Sequence, residues 1–163
     1  MPKLREMSKR GNSSEQVVNF LYNTGYRLTG SHGKTQELLK GVLNALNGNI
    51  NLNTALKSLC LIYINNAISS PGKNIPKDKR NLSQKNNSSN RVQEALLTLP
   101  PTERLILVLR EVLGLDYAEI AGIIGMEETA VSRLLNTGRW ELRKQLVSFP
   151  EKGKQPEKHS VAK

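Results

Sequence analysis

Residues 115–144 read LDYAEIAGIIGMEETAVSRLLNTGRWELRK, and this stretch decides the fold of the second half of the chain. Apolar residues recur at helical spacing on both sides of Gly125, which predicts two helices joined by a tight turn. Glycine readily adopts the positive φ that such a turn requires. Ala121 is small where a crossing helix must come close, and Asp116 can cap the first helix. The stretch therefore predicts a helix-turn-helix.

The second of these helices has two different faces. Its predicted buried stripe is Val131, Leu135, Gly138, Leu142 and Leu146. The opposite face consists of Thr129, Ser132, Arg133, Asn136, Thr137 and Trp140. Apart from the tryptophan, these are groups that bond phosphates and base edges in a major groove that admits one helix. A plain helical hairpin with a solvated polar face is the alternative.

The 163 residues carry a formal net charge of +10, which suggests a polyanionic partner. The excess lies outside the helix-turn-helix: residues 1–69 hold 8 basic and 3 acidic side chains and residues 70–91 hold 6 and 1, whereas residues 92–149 hold 6 and 8. Within residues 115–144 only the second helix is basic. A solvated basic surface that aids solubility is the other explanation of the charge.

The sequence also predicts a cytoplasmic chain. It has one cysteine, Cys60, which excludes an intramolecular disulfide, and it lacks the spacing of a metal site. The basic amino terminus has no apolar segment of the kind that a secretion signal needs, and no run approaches the ~18 apolar residues of a membrane span. We therefore expect neither secretion nor membrane anchoring.

Helical spacing dominates the whole chain, so we predict an all-α fold of two small domains. Residues 1–69 form a helical bundle and residues 92–149 form the helix-turn-helix domain. Residues 70–91 are polar and basic and predict a flexible linker, and residues 150–163 predict a disordered tail. Such a linker would let the two domains engage separated sites. Before the helix-turn-helix, helices are predicted at residues 14–29, 35–46, 53–68, 92–98 and 102–113.

Residues 94–146, which contain an LPP corner and the run LREVLGLDYAEIAGIIG, closely resemble region 4 of bacterial extracytoplasmic-function sigma factors. The resemblance implies binding to the double-stranded promoter −35 element and to the flap of the RNA polymerase β subunit. Ser132 and Thr137 stand where the family often has lysine or arginine, which implies weaker and less salt-sensitive binding. The candidate DNA-binding residues are Arg110, Thr129, Ser132, Arg133, Asn136, Thr137 and Arg139.

Trp140 stands where the family usually has a charged residue. We expect it to pack against a neighbouring helix, with stacking on the DNA backbone as the alternative.

Residues 21–46, with their RLTG turn, more loosely resemble the start of region 2 of the same family, which docks on the β′ clamp of the polymerase. Ser58 replaces the family's tryptophan, and Leu61 and Ile64 replace arginines. Phe20, Tyr22 and Tyr63 are expected in the core. A domain without exposed aromatic platforms and a cationic groove is poorly suited to melting DNA, so it is expected to dock rather than to open the promoter. The candidate polymerase-binding residues are Leu38, Leu39, Val42 and Leu43.

No nucleophile with a base, phosphate-binding loop or pair of carboxylates appears, so we expect neither an enzyme nor a cofactor. The sequence predicts a sigma factor or a sigma-like initiation protein, with an anti-sigma factor or a co-sigma subunit as a further possible partner. Two alternatives stay open. One is a helix-turn-helix regulator that acts without polymerase, and the other is one part of a split sigma factor that cannot melt DNA alone.

Overall fold

The computed structural model describes residues 13–47, 51–69 and 88–148, and over these residues the fold is all-α, as predicted. Within these ranges, no helix is both long and apolar enough to span a membrane. The elements are α1 (Ser14–Thr29), α2 (His32–Leu46), α3 (Leu52–Ser69), α4 (Ser88–Thr98), α5 (Pro101–Leu107), a π-helical segment (Val108–Val112), α6 (Tyr117–Ile124) and α7 (Glu128–Ser148). We call α1 to α3 the first lobe and α4 to α7 the second lobe.

The ends of α1 follow from local hydrogen bonding. The Ser13 hydroxyl accepts the backbone N–H of Gln16 at 3.3 Å, and the Gln16 side chain accepts the backbone N–H of Ser13 at 3.1 Å. This reciprocal pair satisfies two amides that the first turn leaves without helical partners. The helix ends at Gly30, whose φ of 64° reverses the chain. Helix α2 then begins at His32, three residues before its predicted start, because a polar first turn gives no apolar signal.

The first lobe buries one face of each of its helices. Leu21, Val42, Leu56 and Leu59 are almost completely buried, and they link α1, α2 and α3 into one core. Such closely packed apolar side chains are the main source of stability in a small bundle.

The aromatic side chains of the first lobe follow the prediction in part. Phe20 and Tyr63 are buried, as expected. Tyr22 is only half-buried, and its hydroxyl forms a hydrogen bond with Nδ1 of the exposed His32.

The second lobe begins earlier than predicted. Helix α4 starts at Ser88, so the last residues assigned to the linker are helical. The prediction placed the boundary where apolar residues begin, but the first turn of a helix can be wholly polar. Residues 70–87 of the predicted linker and the predicted tail lie outside the described residues. The predicted helix 102–113 is present as α5 and the π-helical segment, and Gly114 ends it with a φ of 73°.

The two lobes pack against each other and share one continuous hydrophobic core. The side chain of Arg104 on α5 is 3% exposed and lies at their contact. Its Nη1 donates to the carbonyl of Leu28 in the first lobe at 2.7 Å, and its Nη2 donates to the carbonyls of Leu97 and Leu99 at 2.7 and 2.8 Å. In this structure the two predicted domains lie in contact, a packing that the sequence analysis does not predict. Helical periodicity describes each lobe separately and carries no signal for contacts between lobes.

Candidate nucleic-acid interface

The turn between α6 and α7 has the predicted geometry. The carboxylate of Asp116 accepts the backbone N–H of Glu119 at 2.8 Å, which caps the start of α6. Gly125 ends the helix with a φ of 71°, and its N–H donates to the carbonyl of Ala121 at 2.9 Å. Both the cap and the left-handed glycine are confirmed. The turn fixes the direction in which α7 leaves the body of the second lobe.

The predicted inner stripe of α7 faces the protein core. Val131 and Leu135 are completely buried, and Leu142 and Leu146 are partly buried at the less covered end of the helix. Gly138 is buried where α7 crosses α5, and a Cβ atom added there would lie 3.0 Å from Cδ1 of Leu107. The glycine therefore lets the two helices approach closely. This packing rotates the opposite side of α7 outward.

Five of the predicted DNA-binding residues lie together on that outward side. Four are exposed and Ser132 is partly exposed. The hydroxyl of Thr137 donates to the carbonyl of Arg133 one turn earlier, at 3.1 Å. With a rise of about 1.5 Å per residue, the set spans about 12 Å, close to the width of a DNA major groove. We call it the recognition face: Thr129, Ser132, Arg133, Asn136 and Thr137.

The other two candidate DNA-binding residues, Arg110 and Arg139, have partners within the protein. Arg110 donates to the carbonyl of Leu115 at 2.7 Å, and its guanidinium carbon lies 5.1 Å from the centre of the Tyr117 ring. Arg139 forms an exposed ion pair with Glu111, with Nε and Nη2 at 2.9 and 2.5 Å from one carboxylate oxygen. This ion pair raises the pKa of Arg139, through hydrogen bonding to Glu111 first. Both arginines thus brace the helix-turn-helix in this structure.

The candidate polymerase-binding residues are mostly core residues. Leu38, Leu39 and Val42 are 3%, 7% and 0% exposed, and only Leu43, at 38%, reaches the surface. The expectation that the first three form a docking surface needs correction. Their spacing marks the face of α2 that packs inside the first lobe, and a core face and a docking face have the same apolar pattern. Leu43 is the one member of the set that a partner could touch.

Trp140 departs most clearly from its prediction. It is 60% exposed instead of packed against a neighbouring helix. The ammonium nitrogen of Lys144, one turn later, lies 4.9 Å from the centre of its ring. Helical spacing places Trp140 on the correct face, because it follows Arg133 by seven residues and Asn136 by four. The expected packing against a neighbouring helix is what the structure corrects.

Burial shifts the pKa of two further groups in the described residues. Burial raises the pKa of the Cys60 thiol to about 12, which makes it a poor nucleophile. Burial, and then repulsion from Glu141, raises the pKa of Glu103. Over the same residues, the His, Cys, Asp and Glu side chains form no group of three that could hold a metal ion.

A helix-turn-helix whose second helix exposes a polar face is the arrangement that many DNA-binding domains use. Residues 89–142 match the family model described as Sigma-70, region 4. The fold of the chain is similar to that of the sigma factor RpoE from Bartonella quintana, solved in complex with the anti-sigma factor NepR. The TM-score is 0.62 at 15% identity, over 82% of this chain and 94% of that one. The family match bears out the resemblance of the second half of the chain to sigma-factor region 4, and the chain has a fold similar to that of a sigma factor.

Proposed function

We propose that this protein directs transcription initiation by binding −35-type promoter DNA through the recognition face while it associates with core RNA polymerase. The observation that carries the proposal is the exposure of that face on a helix oriented by Gly125. Serine, threonine and asparagine donate hydrogen bonds to phosphates and base edges, and arginine can bind guanine with two hydrogen bonds. The protein supplies positioning, and the polymerase performs the chemistry.

Arg133 is the residue on which the DNA part of the proposal can be tested. It is exposed and is the one cation of the recognition face. We expect Arg133→Ala to weaken binding to the preferred duplex by roughly 1 to 3 kcal/mol and to relax the preference at one base pair. Selection of preferred duplexes from a random pool, followed by fluorescence anisotropy, would measure both effects. Lys57→Ala, at an exposed position of α3 in the first lobe, is the control. An unchanged affinity and base preference in Arg133→Ala would contradict this use of the recognition face.

Association with polymerase is the second part of the proposal, and the similarity to a sigma-factor fold supports it. We expect the full chain to co-elute with purified core polymerase in size-exclusion chromatography. A helix-turn-helix regulator that acts alone would elute separately. An anti-sigma factor is a further proposed partner, because the similar RpoE structure is a complex with one.

A second candidate function is that of a sigma subunit that cannot melt DNA by itself. The surface of α3 favours it: Leu61 and Ile68 are 40% and 71% exposed, and Ile64 is partly exposed. Two of these stand where the resemblance would place arginines, so this surface has little affinity for a displaced strand. Transcription reconstituted with core polymerase separates the candidates. A complete sigma factor initiates on duplex promoters, whereas a melting-deficient subunit initiates only on a premelted one.

A further inference from the structure

The exposed side of α7 continues well beyond the recognition face. Helix α7 has 21 residues, which at about 1.5 Å per residue gives a length near 30 Å. If α7 crosses a major groove about 12 Å wide, the recognition face fits within the groove and the following turns extend past it. The residues that follow on the same side are Trp140, Arg143, Lys144 and Val147, all of which are exposed. We call them the C-terminal face.

We propose that Trp140 and Lys144 bind the phosphate backbone that borders the groove occupied by the recognition face. The inference rests on the proposed function and adds a second set of contacts to it. Trp140 lies one turn beyond Asn136, about 6 Å further along the helix axis. A side chain at that point leaves the base edges and meets the phosphates of the flanking strand.

The chemistry of the C-terminal face suits phosphates. Its two charged members, Arg143 and Lys144, are both cations, and the acidic Glu141 lies on the flank of the helix, close enough to Glu103 to raise the pKa of that carboxyl. The indole N–H of Trp140 is a donor only, and its ring supports the Lys144 ammonium at 4.9 Å. This contact orders a lysine that would otherwise lose rotamer freedom on binding. The C-terminal face therefore compensates for the lack of cations at Ser132 and Thr137.

An exposed tryptophan next to cations could also bind an acidic protein segment, since tryptophan and arginine are frequent anchors of protein interfaces. We favour DNA as the occupant, because the C-terminal face is continuous with the recognition face and is oriented by the same turn. The two occupants give different results in the following experiment.

Trp140 is the single tryptophan of the sequence, so fluorescence excited at wavelengths that tyrosine does not absorb reports on this position alone. We expect saturating random-sequence duplex DNA at low salt to lower acrylamide quenching of Trp140 at least about twofold. Anisotropy of fluorescein-labelled duplex, measured in the same samples, shows independently whether DNA is bound. Bound DNA with unchanged quenching would overturn the inference and leave the proposed function intact. Protection by polyglutamate but not by DNA would also overturn it, and would assign the face to an acidic protein.

Three substitutions test the roles of the two side chains. Lys144→Gln should reduce the slope of log affinity against log salt by about 0.9, the value for one phosphate contact. Trp140→Ala should weaken DNA binding about 2- to 10-fold, as expected for the loss of one hydrogen bond, and Trp140→Phe should not restore it, because phenylalanine has no donor. Lys57→Gln is the matched control and should leave the slope unchanged. Circular dichroism should be native in all variants, since both sites are exposed. An unaltered slope in Lys144→Gln, with DNA binding retained, would refute the proposed contact.

Discussion

Replacing Arg104 by methionine should destabilise both lobes at once. The guanidinium donates three hydrogen bonds to main-chain carbonyls, one in the first lobe and two in the second. Methionine fills much of the same space but donates none of them. The carbonyls of Leu97 and Leu99 lose this donor, whereas that of Leu28 keeps a contact with the Tyr63 hydroxyl at 3.4 Å.

The size of the effect follows from two opposing contributions. A buried acceptor left without a partner costs about 1 to 3 kcal/mol, which applies in full to the carbonyl of Leu99 and in part to the part-buried carbonyl of Leu97. Against this, the variant no longer buries a cation. Burial lowers the pKa of Arg104, because removal from water disfavours the charged guanidinium. Its Nε also has no hydrogen-bond partner in the described residues. We expect a net loss of about 2 to 4 kcal/mol in the free energy of unfolding, or about 5 to 15 °C in Tm.

Urea unfolding followed by far-ultraviolet circular dichroism measures this loss. The control is Arg133→Met, the same chemical change at an exposed site, which should alter stability by no more than about 0.5 kcal/mol. Equal midpoints for the two variants would refute the role assigned to Arg104. If the Arg104→Met transition instead splits in two, with one part at the wild-type midpoint, then Arg104 stabilises the second lobe alone and does not join the lobes.

Two further predictions concern the turn and the buried thiol. Gly125→Ala should lower the free energy of unfolding by about 1 to 2 kcal/mol, because a φ of 71° is strained for any residue that carries a Cβ. The strain is in the backbone, since the added Cβ would have no atom within 4 Å beyond the residue itself and its two chain neighbours. Gly125→Asn should lower the free energy of unfolding less, and equal thermal unfolding of the wild type and the alanine variant would contradict the turn assignment. Burial raises the pKa of Cys60 to about 12, so its contribution to stability is complete below the thiol's unfolded pKa, about 8.5, and is lost as pH rises toward 12. The difference in unfolding free energy between the wild type and Cys60→Ala should therefore be constant from pH 6 to 8. Above pH 8.5 it should decline by at most about 1.4 kcal/mol per pH unit. A difference that stays constant up to pH 10.5 would count against a buried thiol.

The sequence predicts those features that depend on neighbouring residues. Gly125 and Asp116 act through local backbone geometry, so their types and positions are enough to indicate the turn and the cap. The buried stripe of α7 depends on helical periodicity in the same way. Once one side of a helix is known to be buried, the exposed side is known as well, which is why the recognition face could be predicted residue by residue.

The features that the sequence does not predict depend on which surface an apolar or charged group meets. Leu38 and Val42 have the same pattern whether they face a core or a partner. From the sequence alone, Arg104 looks like an ordinary exposed cation of a helix. Its burial depends on the packing of the second lobe against Leu28, which the sequence does not indicate. Trp140 is a large apolar residue that burial statistics place inside, yet the helix that carries it extends past the body that could cover it.

The packing of the lobes bears on the proposed DNA binding. Helices α4, α5 and α6 and the π-helical segment make the main contacts with the first lobe, whereas α7 packs against α4, α5 and α6 of its own lobe. The exposure of the recognition face is therefore retained while the lobes are joined. The DNA contact proposed for the recognition face leaves the interlobe contact at Arg104 intact, because no atom of that contact belongs to α7. A partner that needs the two lobes far apart must instead supply the free energy to break that contact, which distinguishes it from the DNA contact proposed for the recognition face.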